Sequence, residues 1–205
     1  MIVSDVPSLV TWWFVFLLIG ILFLPLTTLI FSHFIDRGYI FSKVLGMLLV
    51  SYTIFSLGTL QVLPFTHATI IFLLFAFAFV SIFLLVKVQP SSKSNIFKSS
   101  WKLFMFEELL FFVALAFWAY IRAHEPSIHG LEKFMDFGLV NSALRGEFFP
   151  AKDMWLTPFS INYYYFGHLT TAVLTKISFL SSAITFNLML ATISAISFAS
   201  AFSIA

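Results

Sequence analysis

The sequence contains no cysteine and very little charge. Without cysteine the chain forms no disulfide, no thiolate zinc site and no cysteine nucleophile. Charged residues make up only 10% of the chain, whereas water-soluble domains carry roughly 25%. The net charge is only +2 and no basic cluster is interleaved with aromatic residues, so the composition does not indicate nucleic-acid binding. The low content of charged residues excludes a soluble globular domain.

Long apolar runs fill the chain instead. Hydrophobic residues make up 60% of it, including 29 phenylalanines, and the runs are near the ~20 residues that cross the hydrocarbon of a bilayer. They predict an all-α, polytopic transmembrane protein with about six helices. The predicted spans are Leu9–Phe31, Tyr39–Leu63, Thr66–Val88, Trp101–Ile121, Ser160–Leu180 and Ala183–Ala205. The last run has no charged anchor behind it, so we expect the chain to be the N-terminal part of a longer protein.

Basic residues in the short loops predict the orientation in the cell membrane. Arg37 and Lys43 flank the first loop. The third loop, which includes the Ser/Lys-rich segment Gln89–Ser100, has no acid and four lysines, namely Lys87, Lys93, Lys98 and Lys102. We therefore predict that the first and third loops are cytoplasmic. The N-terminus would then lie outside, and the large loop 122–159 would be extracytoplasmic.

The stretch from Arg122 to His168 is the one polar island in the sequence. Five of the nine acidic residues lie in it, namely Glu125, Glu132, Asp136, Glu147 and Asp153. Ionisable groups gathered in one loop of a membrane protein indicate that chemistry or recognition takes place there. We divide the chain into a three-helix membrane segment, residues 1–100, and a second part, residues 101–205, which consists of a helix, the loop and a helix hairpin 160–205.

Within the loop, residues Leu131–Arg145 are predicted to form an interfacial helix that ends at Gly146. Glu132 and Asp136 are four residues apart, so both carboxylates project from one side of this helix. One interpretation is a general base with a partner that orients a cation or a substrate hydroxyl. The other is a pair of exposed acids on an interfacial helix, bridged to Lys133.

Other loop residues have two interpretations as well. Glu125 and Asp153, each close to a proline, either converge on the helix pair or are solvated. The basic residues Arg122, Lys133, Arg145 and Lys152 either receive a phosphate or balance the five acids. The histidines do not have metal-site spacing. A Mg²⁺ or Mn²⁺ ion held by carboxylates is compatible with the loop, and the cofactor is left open.

The loop closes on Asn162, Tyr163, Tyr164, Tyr165 and, three residues later, His168. Tyrosine at the start of a span belongs to the aromatic belt of the membrane surface. Three in a row point around most of a helix, so at least one must face the protein interior. Such a tyrosine is suited to stack on a sugar or to donate to a phosphate.

Glu107 and Glu108 lie one to two turns inside the fourth predicted helix. We expect both near the cytoplasmic interface beside Lys102. The alternative is that one of them forms an ion pair inside the membrane.

Three strings in the second half of the chain carry a family resemblance: GLEKFMDF, FFPAKDMW and INYYYFGH. In this order and spacing they resemble the signature of the "YYY" membrane proteins of archaea and bacteria, a family named for its tyrosine triplet. The resemblance covers the fourth helix to His168. The family is akin to the GT-C glycosyltransferases, which are multi-spanning enzymes that take sugars from polyprenyl-phosphate donors.

This resemblance implies an integral membrane GT-C-like glycosyltransferase that acts on the extracytoplasmic side. Glu132 and Asp136 match the acidic position of the GT-C loop, and the segment from Pro150 to Asp153 resembles its second motif, with Ala151 where many members have a second proline. The implied catalytic residue is Asp136 or Glu132, and the implied partners are a polyprenyl-phosphate sugar donor and the lipid bilayer.

The alternative is a non-catalytic transporter or scaffold for the export of polysaccharide or lipid. A third alternative, an ion-coupled carrier, requires acids deep within the helices.

Overall fold

The computed structural model describes residues 5–87, 90–130 and 132–205, with the backbone alone for residues 90–100. The described chain forms seven helices: α1 (Val6–Ile30), α2 (Tyr39–Thr59), α3 (His67–Lys87), α4 (Pro90–His124), α5 (Lys133–Arg145), α6 (Phe166–Ser178) and α7 (Ser182–Ile204). An isolated bridge between Lys152 and Ser160 is the one β-type pairing in the part that the structure describes. The predicted all-α, polytopic fold is confirmed.

Five of these helices are long and apolar enough to cross a membrane: α1, α2, α3, the Trp101–His124 part of α4, and α7. The predicted span Ser160–Leu180 needs correction, because α6 has only 13 residues. At 1.5 Å per residue it is about 20 Å long, which is short of the ~30 Å of hydrocarbon. Residues 160–165 stay non-helical, and Phe179 ends the helix in the left-handed conformation (φ 57°).

Helix α6 fills the interior of the bundle instead. It contacts α1, α2, α3, α5 and α7. Its buried residues are small or aliphatic: Leu169, Thr170, Thr171, Ala172, Val173, Leu174, Thr175 and Ser178. The threonine hydroxyls bond within the helix, as where Thr175 donates to the Thr171 carbonyl at 2.7 Å. A short helix with satisfied hydroxyls can therefore be surrounded by protein on several sides.

The segment Gln89–Ser100 was predicted to be a loop, and this is also corrected. Residue 89 lies outside the described residues, and the chain is helical from Pro90 onward, so α4 is 35 residues long. Proline fits the first turn of a helix because its missing N–H has no intrahelical partner there.

The helices give the bundle two ends. We call one the loop end: it contains the start of α1, the end of α4 and the start of α7, so that Asp5, Arg122 and Asn187 line one cavity. We call the other the opposite end: it contains the connection between α1 and α2, where Asp36 contacts Ser203 near the end of α7.

An ion pair joins α2 and α4 inside the bundle. Lys43 is fully buried, and its Nζ lies 2.6 Å from Oε2 of Glu108. The Tyr39 hydroxyl donates to the same oxygen at 2.6 Å, and the Trp13 indole N–H of α1 donates to Oε1 at 2.7 Å. Lys43 also packs on Gly20, near the middle of α1. Hydrocarbon offers no partner to a polar group, so these contacts must be made within the protein, and they fasten three helices together.

These contacts change two of the interpretations made from the sequence. Lys43 is not a charge of the first loop, so of the two residues that flank that loop only Arg37 supports the predicted orientation. The alternative interpretation, an ion pair inside the bundle, is confirmed for Glu108. Glu107 is also buried, with 1% of its surface exposed.

We predict that breaking this ion pair from one side is more harmful than removing both charges. Lys43→Met leaves Glu108 buried without its counter-charge, which typically costs about 3–5 kcal/mol. The double variant Lys43→Met/Glu108→Gln leaves no buried charge and should be clearly more stable than Lys43→Met alone. Thermal unfolding of the detergent-solubilised variants measures this. Additive losses in the two single variants and the double variant would contradict the coupling.

Candidate functional site

The loop between α5 and α6 is fastened to the loop end of the bundle by Phe149. The ring is 3% exposed and lies against Gly58 at the end of α2 and against Phe65. The Phe149 N–H donates to the Gly58 carbonyl at 3.3 Å, and the Phe65 N–H donates to the Glu147 carbonyl at 2.7 Å. Main-chain and aromatic contacts together hold the loop on the bundle rather than in water.

After Phe149 the loop folds back on itself as a short hairpin, residues 151–161. The Ile161 N–H donates to the Ala151 carbonyl at 2.9 Å, and the Asp153 N–H donates to the Phe159 carbonyl at 2.8 Å. The Asp153 carboxylate accepts the N–H groups of Trp155 (2.7 Å) and Leu156 (2.9 Å). Asp153, predicted to bind substrate, thus holds a turn, as aspartate often does.

The hairpin also presents a row of exposed apolar side chains. Trp155, Leu156 and Phe159 are each more than 60% exposed. An exposed aromatic patch beside membrane helices is typical of a surface that meets the bilayer interface.

Of the two predicted catalytic acids, Asp136 lies in the first turn of helix α5 and Glu132 is its N-cap residue; the helix ends at Gly146 as predicted. Its buried face, which includes Leu139, Val140 and Ala143, packs on α6 and α7. Asn141 accepts a hydrogen bond from Ser182 of α7 at 3.0 Å. The predicted helix is therefore a docked element of the bundle rather than a helix that only lies on lipid.

The docking of α5 brings Asp136 to His168 of α6. Oδ1 of Asp136 lies 3.1 Å from Nε2 of His168, and the two side chains are 35% and 18% exposed. Nδ1 of His168 is buried and has no partner. A proton on Nδ1 would therefore be buried without an acceptor, which favours the tautomer whose Nε2–H donates to Asp136. Glu132 is exposed and lies four residues earlier, at the N-cap of the same helix.

The tyrosine triplet divides between the site and the interior. Tyr165 is 9% exposed and packs on Phe55, so the prediction of an inward tyrosine is confirmed, and burial raises its pKa. Tyr163 and Tyr164 are exposed and stacked, with ring centroids 4.0 Å apart, and the Tyr163 hydroxyl donates to that of Tyr164 at 2.6 Å.

The titration of Tyr163 connects this pair with the acids of α5. The hydrogen bond to Tyr164 raises the pKa of Tyr163 to about 12, and the negative charges of Glu132 and Asp136 add to the shift. The hydroxyl of Tyr163 therefore lies in the field of both carboxylates. The structure gathers Glu132, Asp136, Tyr163, Tyr164 and His168 into one patch, which we call the acid–tyrosine site.

The other predicted site residues lie in three different surroundings. Arg122 donates to the Asn187 side chain at 3.1 Å and lines a cavity of about 370 Å³ at the start of α1. Arg145 and Asp153 line a second cavity of about 580 Å³, together with Lys152. Glu125 and Asn162 are exposed and Lys133 is half-buried. Among the described residues, no salt bridge joins a lysine or arginine to Asp136.

The described residues do not fit a carboxylate-bound metal ion. No group of three or more His, Asp or Glu side chains in this part of the chain is placed to hold one. We therefore derive no step through Mg²⁺ or Mn²⁺.

Two contacts at these sites were not found by reasoning from the sequence. The pairing of Asp136 with His168 joins residues 32 positions apart, and no local pattern reports such a distance. Asn187, whose side chain accepts a hydrogen bond from Arg122, is an isolated polar residue in the apolar run of α7. Its isolation could have indicated from the sequence that it contacts another polar group.

A model of the family described as "Uncharacterized membrane protein (DUF2298)" matches residues 49–205 of the 205 in the chain. The match includes the acid–tyrosine site and most of the helical bundle. No curated protein matches the sequence, and no solved structure matches it.

We predict that Gly58→Ala loosens the loop, because a Cβ at residue 58 would lie 2.6 Å from Cδ2 of the buried Phe149 ring. Overpacking of this kind typically costs about 1–3 kcal/mol. Trypsin cleavage after the exposed Lys152 should then speed up by roughly tenfold, since cleavage follows local opening.

Gly167→Ala is the matched control, because a Cβ there would meet nothing within 4 Å. Both changes replace a helical glycine by a better helix former, so weaker helices cannot explain faster cleavage. Equal cleavage in the two variants would show that Phe149 does not fasten the loop.

Proposed function

We propose that this chain, which belongs to the DUF2298 family of uncharacterized membrane proteins, carries the acceptor-activating site of a GT-C-like glycosyltransferase. The substrate would be a sugar on a polyprenyl-phosphate donor, and transfer would take place on the extracytoplasmic side. The observation that carries the proposal is the 3.1 Å contact between Asp136 and His168 at the loop end.

The division of roles in this pair follows from the two imidazole nitrogens. His168 cannot act as the base through Nδ1, because that atom is buried. It instead donates from Nε2 to Oδ1 of Asp136 and holds the carboxylate in one orientation. Oδ2 of Asp136 is left to act as the general base, since about a third of the side chain is exposed. Asp136 is therefore the proposed catalytic residue, and His168 is a positioning residue.

The proposed reaction is a direct displacement. Asp136 takes the proton of the acceptor hydroxyl while that oxygen forms a bond to the anomeric carbon of the sugar. The bond from the anomeric carbon to the phosphate oxygen breaks, and polyprenyl phosphate leaves with the bonding electrons. Glu132, exposed one turn away, is the second acid at this site and would contact the substrate rather than replace Asp136 as the base.

The stacked tyrosines are suited to hold the sugar. Tyr164 is 77% exposed and Tyr163 is 42% exposed, so an open aromatic face lies beside the acids, where a sugar ring can pack on it. Their hydroxyls are donors for a sugar hydroxyl or a phosphate oxygen. The exposed hairpin residues Trp155 and Phe159 would keep the lipid part of the donor at the bilayer interface.

The side of the membrane follows from the remaining basic residues. Arg37 lies in the connection at the opposite end, and Lys87 and Lys102 flank the connection between the α3 and α4 spans. By the positive-inside rule these places would be cytoplasmic, and the acid–tyrosine site would face outward.

Replacing Asp136 tests the catalytic role directly. Asp136→Asn keeps the size of the side chain and removes the base, so we expect transfer from a panel of polyprenyl-phosphate hexoses to fall by about 10²–10⁴-fold in proteoliposomes. The exposed loop acid in Glu125→Gln is the matched control and should retain activity. His168→Gln should lower the rate less than Asp136→Asn does, because it removes only the orientation.

Two outcomes would contradict the proposal. One is equal transfer by Asp136→Asn and Glu125→Gln with equal amounts of folded protein. The other is wild-type protein that binds these donors but transfers none of them, which would leave a transporter or scaffold for polysaccharide or lipid export.

Single-cysteine labelling tests the orientation separately, and it is clean because the chain has no native cysteine. His129 is exposed at the loop end, and Ser32 is exposed in the connection at the opposite end. An impermeant thiol reagent should label His129→Cys in intact cells and Ser32→Cys only after lysis. The reverse pattern would rule out an outward-facing donor site.

A further inference from the structure

Two acidic side chains are buried against each other at the opposite end of the bundle. Asp36 lies in the connection between α1 and α2 and is 2% exposed, and Glu107 lies on α4 and is 1% exposed. Both side chains line the same cavity at this end. Neither residue belongs to the acid–tyrosine site.

The two carboxyl groups differ in their partners. Asp36 Oδ1 accepts the Gly38 N–H at 3.1 Å, and Oδ2 accepts the Ser203 hydroxyl at 2.7 Å. Asp36 is therefore well satisfied as a carboxylate. Oε2 of Glu107 is buried and has no donor.

The buried cation close to these acids already has a counter-charge. Lys43 Nζ contacts Glu108 at 2.6 Å, and Glu108 is further satisfied by Tyr39 and Trp13. An ionised Glu107 would thus be a second negative charge near Asp36, and no salt bridge among the described residues offsets either one. Two carboxylates in such a position cannot both ionise without a large free-energy cost.

A cavity leads to Glu107 from the opposite end. It has a volume of about 410 Å³, and both Asp36 and Glu107 line it together with His33. His33 is exposed. The buried Glu107 side chain therefore borders a space that water can enter.

We propose that Glu107 and Asp36 form a proton-binding site, in which the Glu107 carboxyl carries the proton and donates it to the Asp36 carboxylate. When neither carboxyl group carries a proton, the pair binds one proton from the solution at the opposite end. The proton enters and leaves through the cavity beside His33. The site is a second, separate function of the chain and does not depend on sugar transfer.

A proton fits this pair better than a metal ion. A sodium or divalent ion requires several oxygen ligands, and both oxygens of Asp36 already accept hydrogen bonds. No cluster of three ligating side chains includes these residues within the described parts of the chain.

Among the side chains that the structure describes, the neighbouring elements contribute few other titratable groups. Those nearby are His33 and Arg37 in the connection, Tyr39 and Lys43 on α2, and Lys102 and Glu108 on α4; the described helix α7 contributes none. Arg37 is directed to the Ser32 carbonyl, and Lys43 is directed to Glu108. Loss of the proton would therefore place two adjacent charges where α4, the connection and Ser203 of α7 meet. The packing of α7 at this end becomes sensitive to the pH of that side.

Infrared spectroscopy of the detergent-solubilised wild-type protein tests the site without any mutation. At neutral pH the spectrum should contain the C=O stretching band of a protonated carboxylic acid, which lies above the amide I band. The band should be lost in Glu107→Gln and retained in Glu147→Gln, a matched exposed loop acid. It should also disappear from the wild type as the solution is made alkaline, and it should be equal in sodium chloride and choline chloride.

Three results would overturn the proposal. The first is a wild-type spectrum with no protonated carboxyl band at neutral pH. The second is a band that persists in folded Glu107→Gln protein, which would assign it elsewhere. The third is a band that sodium removes and choline does not, which would make the pair a metal-cation site.

Discussion

The fold depends on the rule that a polar group in hydrocarbon must find its partner within the protein. Glu108 is the clearest example. Its carboxylate pairs with the Lys43 ammonium and accepts hydrogen bonds from the Tyr39 hydroxyl and the Trp13 indole N–H. These partners come from α1 and α2, so one side chain joins α4 to both helices. The loop end depends on the same helix packing, because the Phe149 ring packs on Gly58 at the other end of α2.

The acid–tyrosine site follows from the docking of the loop rather than from the spans themselves. Helix α5 is held on α7 through Asn141 and Ser182, and α6 is surrounded by protein. Asp136 contacts His168 because these two short helices pack together. Tyr163 and Tyr164, in the non-helical segment before α6, are exposed and stacked on each other. A site built from short docked elements on a rigid bundle is a common arrangement in enzymes.

The sequence predicted the features that depend on local pattern. Hydropathy located five candidate spans, and a glycine after an amphipathic stretch located the end of α5 at Gly146. The predicted span began at Ser160, but residues 160–165 stay non-helical, and hydropathy does not report where a helix begins. Lys43 resembled a loop charge because it lies in the first turns of α2. Its partner lies 65 residues further along the chain, and only the packed structure brings the two together.

Cross-linking measures directly whether α5 is docked so that Asp136 contacts His168. Since the chain has no native cysteine, Asp136→Cys/His168→Cys protein contains only two thiols. A short bifunctional thiol reagent should join them in membranes much faster than it joins Phe134→Cys/His168→Cys. Phe134 is exposed and lies about 200° around α5 from Asp136. Equal rates in the two proteins would mean that α5 is not held against α6, and the site would not exist as described.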